Sequence, residues 1–190
     1  MKRRNFIHNT TISTFGVFSF NHLFNLKNDL IMNHLPAYKR NLNPNNVRAL
    51  KGGGVIITFL ATSKDTNGLY TMFEAKGIAG MEPPPHIHAN EDETYYILDG
   101  EFYFKVGEEE FNAKPGDFVF LPRNVKHEFK VLSETFHCQV GLFPAGIDEM
   151  FLAMSDPHDS LEIPPIDTTP SSPEIMEQMM KLNQKFGISY

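Results

Sequence analysis

The feature that most restricts the fold of this chain is a series of short β-rich runs that begins at Val55. Branched and aromatic residues recur in these runs at near-regular spacing, and Gly, Pro and Asn interrupt them. The pairs Asn-Gly at 67–68 and Asp-Gly at 99–100 are typical of hairpins. Parallel sheets alternate strands with long helical segments, and this region has no such alternation. The pattern therefore predicts an all-β antiparallel sandwich or barrel over residues 36–146.

Helical patterns appear only after residue 147. Ser172 can cap a helix whose first turn contains Pro173, and the apolar spacing stops before Gly187. Residues 147–190 are therefore expected to form a short helical C-terminal extension. The predicted apolar face of its last helix consists of Ile175, Met179, Leu182 and Phe186.

Composition and charge exclude several classes of protein. The formal net charge is −6, whereas nucleic-acid-binding proteins usually have a basic face. No apolar run is long enough for a convincing transmembrane helix, so stable membrane insertion is not expected. Cys138 is the single cysteine of the chain, which rules out an internal disulfide and zinc sites built from several thiolates.

The first residues indicate export. The paired Arg3 and Arg4, followed by Phe6 and Ile7, resemble the twin-arginine signal of bacteria, and a mildly apolar stretch comes next. Residues 1–35 are thus interpreted as an export signal and lead, with the periplasm as the expected location and the cytoplasm as the alternative. No A-x-A-like triplet follows, so cleavage of the signal stays open.

A cluster of possible metal ligands lies within the β-rich region. His86 and His88 are two residues apart, so on a strand both imidazoles lie on one side. Glu93 is at an odd offset from both, and it can join them only if a loop or bulge interrupts the strand between residues 89 and 92. His127 comes later on another β-rich run. Three imidazoles and one carboxylate can hold a divalent transition metal.

The residues after this loop predict the walls of a cavity. Glu93, Tyr95 and Ile97 share one face of the strand by parity. Aromatic residues are expected to line the interior, and such a pocket suits a flat organic ligand that chelates a metal through oxygen. The candidate wall residues are Tyr95, Phe129, and Phe102 or Phe104.

Two motifs carry a resemblance to a known family. The pattern G-x5-H-x-H-x4-E-x6-G is matched throughout, and it resembles the first signature motif of the cupin superfamily. The second motif, near G-x5-P-x-G-x2-H-x3-N, is matched except that Asn124 replaces a glycine and Val131 replaces an asparagine. The residues that match the two motifs are Gly80, His86, His88, Glu93, Gly100, Gly116, Pro122 and His127.

The resemblance implies a double-stranded β-helix, the jelly-roll barrel of cupins. It also implies that His86, His88, Glu93 and His127 are ligands of one divalent transition metal ion. Iron, manganese, nickel, copper and zinc are not distinguished by this ligand set. Asp92 is the alternative carboxylate, which the spacing to Gly100 disfavours. A homodimer is the usual assembly of similar cupins.

The function implied by the resemblance is that of the dioxygenase-type cupins, including quercetinase-like members. A metal-dependent oxidoreductase acting on a phenolic or enolic small molecule is therefore expected. In that role Glu93 would be both ligand and general base, and Tyr95 a hydrogen-bond donor beside it. The alternatives are an isomerase, an epimerase or a decarboxylase that uses the metal as a Lewis acid, or a non-catalytic cupin that binds a small molecule or metal.

Overall fold

The architecture is that of a computed structural model, which describes residues 35–41 and 46–190. The predicted export signal lies outside these residues. Within the described part of the chain, no helix is long and apolar enough to cross a lipid bilayer. Twelve strands and three helices occur in the described residues.

The elements follow one another in chain order with short connections. The strands are β1 (Val47–Leu50), β2 (Val55–Ala61), β3 (Thr71–Ile78), β4 (Ile87–His88), β5 (Asp92–Asp99), β6 (Phe102–Val106), β7 (Glu109–Ala113), β8 (Phe118–Leu121), β9 (His127–Val131), β10 (Thr135–Phe143), β11 (Ser155–His158) and β12 (Ile188–Ser189). The helices are α1 (Ser63–Thr66), α2 (Asp148–Ala153) and α3 (Pro173–Phe186).

The strands form an antiparallel jelly roll. The larger sheet has seven strands in the order β11-β1-β2-β3-β10-β5-β8. A second sheet has the order β7-β6-β9, and a two-stranded ladder pairs β12 with β4. A single bridge between His86 and His127 joins the segment before β4 to β9. This is the double-stranded β-helix that the sequence predicts, with a short C-terminal helix.

The core lies between the larger sheet and the β6–β9 sheet. Phe102 and Phe104 of β6 are fully buried, and Ile97 of β5 is fully buried opposite them. Alternation along β5 is clear, because Tyr95 and Ile97 are buried whereas Tyr96 is exposed. This alternation confirms the predicted parity of the strand and fixes which side chains reach the interior.

Two turns differ from the hairpins that their sequences suggest. The strands on either side of Gly100 do not pair, because β5 lies in the larger sheet and β6 in the smaller one. The Asp-Gly turn therefore carries the chain from one sheet to the other. Between β2 and β3, which do pair, the connection contains the short helix α1, and Asn67 ends it in the left-handed conformation with φ 52°.

The C-terminal helix begins and ends where its sequence predicts. The Ser172 hydroxyl accepts a hydrogen bond from the Ile175 backbone, and Gly187 ends the helix with φ 72°. Ile175 is half exposed, so only the later part of the predicted apolar face is directed inward. The region after residue 147 also contributes two strands that periodicity did not indicate, β11 on β1 and β12 on β4.

Candidate metal centre

Three strands bring the four predicted ligands together. His88 lies on β4, Glu93 on β5 and His127 on β9, while His86 immediately precedes β4. The backbones of His86 and His127 exchange two hydrogen bonds of 2.9 Å, which places their side chains next to each other. Residues 89–91 interrupt the strand between His88 and Glu93, so the predicted break in parity is confirmed.

The four side chains form one compact and buried cluster. Each offers a ligand atom, and these atoms lie within 4.8 Å of one another. Glu93 Oε2 is 3.5 Å from His127 Nε2 and 3.8 Å from His88 Nε2. All four residues are at least nine-tenths buried. The structure therefore brings together all four residues that the sequence motif selected.

Backbone carbonyls orient two of the imidazoles. His86 Nδ1 lies 2.9 Å from the carbonyl oxygen of Pro84, and His127 Nδ1 lies 3.1 Å from that of Val125. Because a carbonyl oxygen only accepts hydrogen bonds, each Nδ1 carries the proton and each Nε2 presents a lone pair. Burial, which outweighs the attraction of Glu93, lowers the pKa of His86 to about 4. His86 is therefore neutral at neutral pH, as a metal ligand must be.

Unpartnered polar atoms show that the cluster suits a cation. Glu93 Oε2 and His127 Nε2 are buried and have no hydrogen-bond partner among the described residues. Buried polar atoms are normally satisfied, so two unsatisfied ligand atoms facing each other indicate a missing group. An ion about 2.0–2.2 Å from nitrogen and oxygen ligands would satisfy both after small side-chain shifts. The donor set thus fits a divalent transition metal ion.

Tyr95 holds the other oxygen of the carboxylate. Its hydroxyl donates to Glu93 Oε1 at 3.1 Å, which leaves Oε2 directed at the histidines. Burial raises the pKa of Glu93, but the imidazoles of His127 and His88 outweigh it and bring the pKa below its ordinary value. Burial, with the charge of Glu93, raises the pKa of Tyr95 well above its ordinary value. Glu93 is therefore a carboxylate and Tyr95 a neutral donor.

A second carboxylate at the site was missed in the sequence. Glu91 lies in the loop before β5, is 3 % exposed, and places Oε2 3.5 Å from His88 Nδ1. The contact is electrostatic rather than a formed hydrogen bond, since neither atom has a hydrogen-bond partner among the described residues. The polar residues Asn90, Glu91 and Asp92 suited a loop, and parity assigns no direction to a loop residue.

Asp92, the alternative carboxylate, lies outside the cluster. Arg123 binds it through a backbone N–H at 2.9 Å and through two guanidinium nitrogens at 3.1 and 2.8 Å. This ion pair lowers the pKa of Asp92 and ties the start of β5 to the turn after β8. In the same turn, Asn124 occupies the position where the second cupin motif usually has a glycine. Its φ is 62°, a left-handed conformation that asparagine tolerates better than most residues.

An apolar cavity of about 330 Å³ adjoins the cluster. Tyr95 and Phe129 line it, as the sequence predicts. Phe102 and Phe104 do not, since they are fully buried in the core behind Tyr95 and Phe129. Aliphatic side chains form much of the remaining wall, and four methionines and four further aromatic residues also contribute. These methionines and aromatic residues are Met81, Met150, Met154, Met179, Phe73, Phe136, Phe151 and Tyr190.

The fold and the cluster define the class of protein: a small jelly-roll barrel with a buried three-histidine, one-glutamate site. Residues 78–143 match the family model described as a cupin domain. This match includes every residue of the cluster. Over this segment, which is about a third of the chain, the protein is similar to a cupin domain.

Comparison with characterised proteins gives a distant relative. Quercetin 2,3-dioxygenase of Bacillus subtilis is 28% identical over 108 residues, which are 56% of this chain and 32% of that enzyme. The matched segment therefore spans about a third of the relative's length.

Solved structures agree on the fold. KdgF from a Halomonas species superposes with a TM-score of 0.51 and 19% identity, over 58% of this chain and 99% of that chain. An RmlC-like cupin from Shewanella frigidimarina has a TM-score of 0.51 and 20% identity, over 60% of this chain and 98% of that chain. At these identities the likeness concerns the fold.

Proposed function

We propose that this protein is a metal-dependent dioxygenase acting on a phenolic or enolic small molecule. The observation that carries the proposal is the position of the His₃Glu cluster beside an apolar cavity, which is lined by His86, His88 and Glu93 and in part by aromatic rings. A buried site of this kind excludes water and orients a flat ligand with its oxygens toward the ion. The distant similarity to a quercetin dioxygenase supports the same reaction class.

The residues that would hold the ion are His86, His88, Glu93 and His127. A bound ion of this kind polarises a ligand hydroxyl as a Lewis acid, and a redox-active one also exchanges electrons with oxygen. Iron, manganese, nickel and copper all accept nitrogen and oxygen ligands, so the ligand set leaves the metal open.

Glu93 is the proposed base for the substrate hydroxyl. Its Oε2 faces the histidines and would bind the ion, so the proton would go to Oε1, the oxygen that accepts a hydrogen bond from Tyr95. The lowered pKa keeps the carboxylate ionised, which is the form a base needs, while it also makes the carboxylate a weaker base. Tyr95 acts by positioning, because its hydroxyl fixes the rotamer of Glu93.

Oxygen consumption tests the proposal directly. The protein is loaded separately with Fe²⁺, Mn²⁺, Ni²⁺ or Cu²⁺, and oxygen uptake is measured with quercetin and with catechol. We expect metal-dependent uptake in at least one form, lost in His86→Ala. His137→Ala is the matched control, because His137 pairs with Glu74 on β3 away from the cluster.

Two results would contradict the proposal. The absence of oxygen uptake in every metal form, with ligand binding intact, would argue for a non-catalytic cupin. Turnover of a sugar or keto acid without oxygen would instead support isomerase, epimerase or decarboxylase chemistry in which the ion is only a Lewis acid.

A further inference from the structure

Residues 173–190 form one wall of the cavity. Strand β12 pairs with β4, so that Ile188 lies opposite His88. The Ala89 backbone donates to the Gly187 carbonyl at 2.9 Å, and the Asn90 side chain donates to the Phe186 carbonyl at 3.0 Å. Helix α3 and β12 are thus hydrogen-bonded to the strand that carries His88 and to the loop between His88 and Glu93.

Three side chains of this wall line the cavity: Met179 of α3, Ile188 of β12, and Tyr190. The ring of Tyr190 is next to the metal cluster, since its centroid lies 6.3 Å from that of His86. Tyr190 is 59% exposed, so it stands between the cavity and solvent.

A buried amide holds the Tyr190 ring in place. Asn183 is buried on the inner face of α3, and its Nδ2 donates to the Tyr190 hydroxyl at 3.1 Å. A buried polar residue on a helix face is costly unless it makes such a contact. The hydroxyl accepts this bond and keeps its own proton to donate.

The composition of the wall selects a class of ligand. Methionine sulfur makes favourable contacts with the edges of aromatic rings, and its flexible side chain adapts to ligand shape. Aromatic rings gain further from offset or edge-to-face contact with one another. With Met179 and Tyr190 on one side and Phe129 on the barrel side, the cavity is suited to an aromatic ring.

We propose that Tyr190, with Met179, is the specificity-determining element of this site and selects aromatic over saturated ligands. The inference deepens the proposed function and rests on the same cavity, but it requires neither oxygen chemistry nor turnover.

Binding of a matched pair of probes tests the inference. The full-length protein is titrated calorimetrically with 2,3-dihydroxynaphthalene and with its saturated analogue, decahydronaphthalene-2,3-diol. We expect the wild type to prefer the aromatic diol. Tyr190→Leu should reduce that preference about 3- to 10-fold, the range of aromatic pair interactions. Tyr190→Phe, which keeps the ring, should retain most of it, and Met179→Leu should lower it by a smaller factor.

Phe118→Leu is the control, because Phe118 is an exposed aromatic residue of β8 that does not line the cavity. It should leave both affinities unchanged. An equal preference in the wild type and Tyr190→Leu would overturn the inference, whatever the oxygen assay gives. An aromatic preference of the wild type that Tyr190→Leu reduces, found without oxygen uptake in any metal form, would support the inference and remove the dioxygenase proposal.

A second measurement does not depend on substitutions that weaken binding. The chain contains no tryptophan, so Tyr190→Trp introduces a single fluorescent reporter at the wall. Binding of the aromatic diol should change the emission of this tryptophan, and the titration should give the same affinity as calorimetry. Phe118→Trp should not respond. A response in both variants or in neither would contradict the placement of the ligand beside residue 190.

Discussion

Glu91 illustrates how much of this site depends on a residue that is not itself a ligand. Its carboxylate faces Nδ1 of His88, the nitrogen on the far side of the ring from Glu93. A carboxylate beside Nδ1 favours the tautomer that carries its proton on Nδ1, and this tautomer leaves Nε2 free to donate to a metal. His86 and His127 have backbone carbonyls in the equivalent place.

We predict that Glu91→Gln weakens metal affinity about 10- to 100-fold, the usual effect of removing such a partner. Affinity is measured by competition with a chromogenic chelator, and circular dichroism checks the fold. Asp92→Asn is the neighbouring control, since its carboxylate binds Arg123 and not the cluster. A larger loss in Asp92→Asn than in Glu91→Gln would mean that the assignment of the two carboxylates is wrong.

The ligand set itself makes a stronger prediction. His86→Ala or His127→Ala should abolish stoichiometric metal binding, because each removes one of only four donors in the cluster. Elemental analysis of the purified protein measures this, with His137→Ala as the matched histidine control. Full metal content in either variant would show that different residues hold the ion.

At the scale of elements, an ion pair ties residues 35–41 to helix α1. Arg40 makes a bidentate contact with Asp65 at 2.7 and 2.8 Å, and Asp65 also accepts from the backbone and hydroxyl of Thr62. The hydrogen bond from Arg40, which outweighs burial, lowers the pKa of Asp65 to about 2. Because this folded-state value lies below the ordinary one, the contact stabilises the fold above about pH 4.

We predict that Asp65→Asn lowers the free energy of unfolding by about 1–2 kcal/mol at pH 7, after allowance for solvent screening of a partly exposed pair. The difference from wild type should shrink as pH falls from about 4 toward 2, where the folded wild-type carboxyl becomes protonated. Urea denaturation at several pH values measures it. Exposed Asp159→Asn should have little effect at any pH, and a pH-independent difference for Asp65→Asn would contradict the ion-pair explanation.

The turns explain which elements could be predicted and which could not. Asn67, Asn124 and Gly187 adopt the left-handed conformations that their residue types favour. The Asp-Gly turn at residues 99–100 is equally typical of a hairpin, yet β5 pairs with β8 and β10 instead of β6. Turn chemistry is local, whereas strand pairing depends on which sheet buries the apolar face of each strand.

At the scale of the whole molecule, the export signal remains a prediction, since it lies outside the described residues. A reporter fused after about residue 35 should leave the cytoplasm of a bacterial host with a twin-arginine pathway. Arg3→Lys together with Arg4→Lys should retain it there. Cell fractionation measures the distribution, and export of the double variant at the wild-type level would contradict the twin-arginine assignment.

The homodimer also remains a prediction, implied by the resemblance to cupins. Light scattering coupled to size exclusion should give about twice the chain mass of 21.6 kDa for the full-length protein. A single-chain mass across the concentration range would refute it.

The strand pattern of the sequence predicted a sandwich or a barrel, and the resemblance to the cupin motifs selected the barrel and the four clustered side chains. Alternation along β5 places Glu93 and Tyr95 on one face and the residues between and after them on the other. On an unbroken strand Glu93 would point away from His88, so a loop between them was required, and the structure has one. Periodicity and motif spacing carry this information because each depends only on neighbouring positions along the chain.

Only the tertiary structure decided what surrounds the cluster. Glu91 belongs to a loop without periodicity, and Phe102 and Phe104 are separated from the cavity by rings from other strands. Tyr190 reaches His86 because β12 pairs with β4, a contact between segments about a hundred residues apart. Such contacts are set by the packing of the whole barrel, and no local pattern encodes them.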